Sequence, residues 1–119
     1  MELRLVTGLL VGTIALLHVA FLVLEMFYWD HPLGRRIFRL DAEFSAKSKT
    51  LAANQGLYNG FLASGLFWGL FTVQGDVIAF FLSCVVIAGI YGGITVKRTI
   101  FYTQGLPAIV TLALLLYSR

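Results

Sequence analysis

Hydrophobic positions in this chain do not alternate with polar ones over most of its length; they run continuously. Residues 5–24, 50–75, 77–96 and 99–118 contain no Asp, Glu, Lys or Arg. A helix rising about 1.5 Å per residue needs roughly 20 mainly apolar residues to cross a hydrocarbon core about 30 Å thick. Each run meets that length. The pattern therefore predicts an all-α integral membrane bundle of four transmembrane helices, at about 5–29, 51–73, 77–96 and 103–118. Segment 30–50 interrupts the pattern and reads as a loop. Within it Ile37, Leu40 and Phe44 recur at i, i+3 and i+7 among Arg36, Arg39, Asp41, Glu43 and Lys47. That spacing predicts a short amphipathic helix, either lying on the membrane surface or capping the bundle.

Composition narrows the class: 59% of residues are hydrophobic, 13% are charged, and mean hydropathy is +0.86, outside the balance of a soluble domain. The four spans use nearly the whole chain, so a single transmembrane domain over residues 1–119 is expected. A cleaved signal peptide is the competing reading of the first run. That run leaves through Glu25, Met26, Phe27, Tyr28, Trp29 and Asp30 rather than through small residues, so it is expected to stay in the protein.

Net charge of +3 and a pI near 9.3 would suit a nucleic-acid partner if spread over a soluble surface. Here the basic residues flank apolar runs, so topology explains them and no nucleic-acid partner is expected. Arg35, Arg36, Arg39, Lys47 and Lys49 lie between runs one and two, and Lys97 and Arg98 between three and four. Against these seven stand Arg4 and Arg119 on the other side, which predicts both termini outside the cytoplasm. Tyr28, Trp29, Trp68, Tyr102 and Tyr117 near the run ends fit interfacial aromatic belts.

The candidate chemistry is a set of polar residues inside the runs. His18 and Glu25, seven positions apart, share one helical face. An ionisable residue at the centre of a membrane helix costs about 2.5–3.5 kcal/mol even on permissive scales, so such residues face a neighbour or a wet cavity. Asn54, Gln55, Tyr58 and Asn59 cover one arc of the second span, and amides in hydrocarbon seek partners on adjacent helices. Gly65 and Gly69, with the pairs Gly8/Gly12 and Gly89/Gly93, have the spacing that lets helices approach closely. Tyr91 at the end of span three and Gln104 at the start of span four fall in the same cytoplasmic half.

His18, Glu25, Asn54, Gln55, Tyr58, Asn59, Tyr91 and Gln104 are therefore expected to line a polar pocket opening to the cytoplasm. It would bind a small or amphiphilic molecule, with Glu25 facing a cationic group, in a carrier or an accessory subunit. Three other readings stand beside it. The same residues form a hydrogen-bond network that only fixes helix packing, or a proton or ion path. Alternatively, His18 and Glu25 serve a membrane enzyme acting on a lipid-like substrate, although about 10 Å of helix separates them. No C-x-x-C, P-loop, nucleophile elbow or histidine cluster occurs, so no catalytic residue, metal or cofactor is assigned. Cys84 reads as a small packing residue, Ser45, Ser48 and Thr50 as caps or loop polarity, and Pro107 as a first-turn proline of span four. Partners expected are the lipid bilayer, a small amphiphile and, through the glycine faces, further copies of the chain.

The run Ala53-Asn54-Gln55-Gly56-Leu57-Tyr58-Asn59-Gly60-Phe61-Leu62-Ala63, with His18 and Leu24-Glu25-Met26 upstream and Gln104-Gly105-Leu106-Pro107-Ala108 downstream, carries a resemblance. It resembles an uncharacterised bacterial family of small membrane proteins, domain of unknown function thirteen-oh-four, over essentially the whole chain. The resemblance implies four transmembrane helices and a bacterial cytoplasmic (inner) membrane. It implies no activity.

Overall fold

All regular structure in the described residues, 2–119 of the computed structural model, is helical. Five helices follow in order: α1 (Leu3–Phe27), α2 (Pro32–Phe38), α3 (Ala42–Phe71), α4 (Gly75–Thr95) and α5 (Arg98–Tyr117). Three of them, α1, α4 and α5, are long and apolar enough to cross a membrane. The longest helix, α3 with 30 residues, is not among the three. Glu43, Lys47 and Lys49 open it, and Asn54, Gln55 and Asn59 dilute its apolar part. It also begins at Ala42, nine residues ahead of the expected start at 51. Large apolar side chains such as Leu16, Leu51, Phe61, Ile87 and Ile94 are exposed along the long helices, which soluble monomers avoid at this density.

The chain divides into two compact units: residues 2–15 with Ser64–Arg119, and Leu16–Ala63. In the first, Val11, Ile14, Leu66, Ile78, Leu82, Val85, Ala108 and Leu115 are buried. Glycines set the spacing there. A Cβ on Gly69 would lie 2.7 Å from Ile78 Cγ1, and one on Gly65 would overlap the Phe81 ring. Gly89 presses directly on the Gly105 backbone, and Gly93 on Phe101. Gly8 and Gly12 behave differently from the expectation. Their nearest neighbour is the Leu70 side chain at 3.8 and 3.9 Å, ordinary contact that a methyl would tolerate, so they mediate no close helix approach.

Pro107 stands in the first turn of the α-helical stretch Leu106–Tyr117, as expected, but that stretch continues a helix begun at Arg98, so the proline also lies inside α5. It offers no N–H to the carbonyl four residues back, that of Thr103, and its ring crowds that carbonyl. The preceding turn is correspondingly widened: Phe101–Gly105 is π-helical, with the Leu106 amide bonded to the Phe101 carbonyl. Between α3 and α4 the chain reverses in three residues. The Gln74 amide bonds the Gly69 carbonyl (2.9 Å) and the Val73 amide the Leu70 carbonyl (3.3 Å), the pattern that ordinarily places glycine in the left-handed position. Here that position is Val73, at φ 54°.

In the second unit the segment after α1 is a tied reversal. His31 caps α2, its Nδ1 accepting from the Leu33 amide at 3.1 Å, and Pro32 occupies the first turn. Arg39 at φ 56° ends α2, and the Asp41 carboxylate caps α3 by accepting from the Phe44 amide at 2.7 Å. The amphipathic helix expected through Ile37, Leu40 and Phe44 is therefore interrupted between Arg39 and Asp41. Local capping outweighs the apolar periodicity. Ser45 and Ser48 hold the reversal shut: the Ser45 hydroxyl donates to Asp30 (2.7 Å), which also pairs with Arg35 (3.0 Å), and Trp29 Nε1 donates to Ser48 Oγ (2.9 Å). The buried Gly34 rests on the Tyr28 carbonyl, where no Cβ fits.

A left-handed conformation costs an L-residue about 1–2 kcal/mol, while glycine loses roughly 0.5–1 kcal/mol in chain entropy. Because the Val73 side chain is 87% exposed, Val73→Gly forfeits little packing. It is expected to raise stability by about 0.5–1 kcal/mol in reversible unfolding in detergent.

Candidate functional site

In the second unit two of the polar residues singled out in the sequence, Glu25 and Asn59, meet directly. Along α1, Leu22, Glu25 and Met26 face Gly56 and Gly60 of α3. A Cβ on Gly56 would lie 2.7 Å from Met26 Cγ and 3.0 Å from Glu25 Cβ, and one on Gly60 would lie 2.6 Å from Leu22 Cδ1. Two missing side chains thus bring the helices closer than ordinary residues permit. At that spacing a short amide spans the gap: Asn59 Nδ2 donates to Glu25 Oε1 at 2.5 Å. Asn59 is only 6% exposed, whereas Glu25 is half-buried. Among the described residues nothing donates to the second carboxylate oxygen, Oε2.

The other members of the arc are placed by helix geometry. At about 100° per residue, Asn54, Tyr58, Gln55 and Asn59 span roughly 140°, wider than a single helix contact. Asn59 lies at the edge turned to α1, and Asn54, Gln55 and Tyr58 are exposed. The Tyr58 ring meets Phe61 edge-on at 5.4 Å. His18 is fully buried, with its ring edge-on to Phe21 at 5.5 Å. Seven residues along the same straight element keep it about 10 Å from Glu25, too far to share one small reacting centre. Tyr91 and Gln104 belong to the other unit. Tyr91 is 70% exposed on α4, and Gln104 is half-buried in the π turn.

Sequence reasoning overlooked Gly56 and Gly60 as the close-approach pair of this region. Their spacing, Gly-x-x-x-Gly, matches the pairs it did select, so the signal was present. It also missed the bonds from Ser45 and Trp29, which join residues 15 and 19 positions apart and leave no local trace. Among the described residues no three His, Cys, Asp or Glu side chains are grouped to hold a metal ion.

The profile of the DUF1304 family, described as a protein of unknown function, matches residues 12–116. This chain belongs to the DUF1304 family. A similar protein, 32% identical over 93 residues covering 75% of this chain and 78% of its own, is the uncharacterized protein YpaA of Lactococcus lactis subsp. lactis (strain IL1403). No solved structure matches the chain. The stretch matched by the DUF1304 profile contains all eight polar residues and both glycines of the α1–α3 contact.

For this DUF1304 chain the Glu25–Asn59 bond should be measurable as a coupling. Interhelical side-chain hydrogen bonds of membrane helices give about 0.6 kcal/mol on average and up to about 1.7, and a carboxylate acceptor favours the upper part of that range. A double-mutant cycle with Glu25→Gln and Asn59→Leu is expected to show about 1 kcal/mol of coupling in detergent unfolding.

Proposed function

We propose that this protein crosses the membrane four times, with both termini outside the cytoplasm, and binds a small or amphiphilic cation at Glu25, as a carrier or an accessory subunit. The observation that carries the reading is the state of the carboxylate. One oxygen is held by a buried amide, which fixes its direction, while the half-buried group keeps its second oxygen for another donor. Asn54, Gln55 and Tyr58 extend along α3 from this point and are exposed, so they are placed to orient polar parts of a bound molecule. An apolar portion would lie against the exposed Leu57 and Phe61. The α3 crossing follows from its length: from Phe71 back to Leu51 it offers about 30 Å of rise, with Asn54 and Gln55 near the headgroup level where amides stay hydrated.

A second reading rests on the glycines. Gly56 and Gly60 bring α1 against α3, and the bond between Asn59 and Glu25 then acts as a register pin with no ligand. Neither reading needs His18 as a catalyst. In an inner-membrane setting the basic residues of the reversal, Arg35, Arg36, Arg39, Lys47 and Lys49, would face the cytoplasm.

Topology is checked with reporters fused to each terminus. Both are expected on the side opposite the 30–50 segment, and reporters on opposite sides would reduce the crossings to an odd number. Binding is checked with dodecylammonium as the probe, an amphiphilic cation whose N–H groups can donate to the second oxygen. Glu25→Gln should weaken it about ten-fold, near 1.4 kcal/mol, with helix content retained. Equal affinity in the folded variant favours the register pin.

A further inference from the structure

In the first unit a cleft of about 380 Å³ opens where α1 begins, α3 turns into α4, and α5 ends. Its volume falls within the range of small-molecule sites, roughly 300–1,000 Å³. Val11, Ile78 and Leu115 in its lining are buried and Leu70 is half-buried, whereas Arg4 and Arg119 are exposed. From Arg4 to Val11 the helix rises about 10 Å, so the cleft runs from a cationic entrance to an apolar end. Gly8 helps keep it open. The nearest atom to a Cβ there is Leu70 Cδ1 at 3.8 Å, so a methyl would fit at ordinary contact and a longer side chain would extend into the cleft that Gly8 lines.

The charges at the entrance are not all paired. Arg119 is paired with the Asp76 carboxylate through one nitrogen. Among the described residues no carboxylate lies within 4 Å of Arg4, and the neighbouring Glu2 is exposed. The lining hydroxyls are committed elsewhere: Thr7 donates to the Leu3 carbonyl and Ser118 to that of Leu115. The Arg4 guanidinium and the nitrogens of Arg119 that Asp76 does not hold are thus the groups available for recognition, and they suit phosphate or carboxylate oxygens.

We propose that this cleft binds an anionic phospholipid, with the phosphate at Arg4 and Arg119 and the first part of an acyl chain along Leu70, Val73 and Leu115, above the buried Val11 and Ile78. The apolar lining separates this occupant from a soluble anion, which would use the entrance alone. Leu5 and Leu9 of α1 and Leu116 of α5 are exposed on the helices that border the cleft, so both helices also carry apolar surface that a lipid reaches laterally. A second copy seated by a two-fold axis would instead set guanidinium against guanidinium. The site shares no residue with the Glu25 region and stands or falls independently of it.

The test is native mass spectrometry of the full chain from mild detergent. It is titrated with phosphatidylglycerol and with phosphatidylcholine of the same acyl chains, and inorganic phosphate is added as competitor. A basic side chain near a membrane surface is worth about 1 kcal/mol toward an anionic lipid, so wild type should prefer phosphatidylglycerol by at least about five-fold. Arg4→Gln should lower that preference, and Arg4→Gln with Arg119→Gln should remove it, helix content unchanged. Gly8→Leu should reduce retention of both lipids while leaving every charge in place. Equal retention of the two lipids by wild type, or a preference surviving in the double variant, overturns the proposal. So does displacement of phosphatidylglycerol by millimolar phosphate, which would assign the arginines to a soluble anion.

Discussion

A carboxylate that interrupts an apolar helix has to be given a partner, and in this chain the partner determines how two helices meet. Glu25 lies two residues before the end of a 25-residue helix that holds no other charge from Leu5 onward. Its hydrogen bond from Asn59 is short, and asparagine is a short side chain, so the bond exists only where α1 and α3 come unusually close. Gly56 and Gly60 make that approach, since any Cβ at either position would collide with Leu22 or Met26. The polar pair and the glycine pair are therefore one device. Van der Waals packing draws the helices together, and the hydrogen bond selects the register in which both are satisfied.

The same use of small residues recurs in the other unit with different results. Gly69 receives Ile78 across the α3–α4 turn, and Gly89 meets the Gly105 backbone with no side chain between. The second contact falls at the end of the π turn, next to Pro107. Removing an N–H from the interior of α5 loosens one turn, and the adjacent glycine turns that irregularity into a close crossing with α4. Gly8 shows the opposite outcome. With no helix seated on it, the missing side chain leaves part of a cleft.

Between α1 and α3, sequence pattern and structure part company in an instructive way. Ile37, Leu40 and Phe44 have a helical spacing, yet Arg39 turns left-handed and Asp41 begins a new helix. A side-chain cap acts on the amides at the chain reversal itself, while the apolar stripe offers only a face with nothing dictating its continuity. Asp30, Ser45, Trp29 and Ser48 then fasten the reversal, so residues that read as loop polarity hold the segment in shape.

By itself, the sequence determined the helical class, the positions of the long apolar runs and the list of polar residues that had to be accounted for within them. Those follow from composition and length along the chain, where one helix needs no knowledge of another. It also marked Glu25 and Asn59, because each is costly alone. Only the tertiary structure decided that these two join while Asn54, Gln55 and Tyr58 stay exposed, since a 140° arc can offer just its edge to one neighbour. It likewise decided which glycine pairs are contacts and which leave space. Glycine spacing is identical in both cases, and the difference lies in whether another helix arrives.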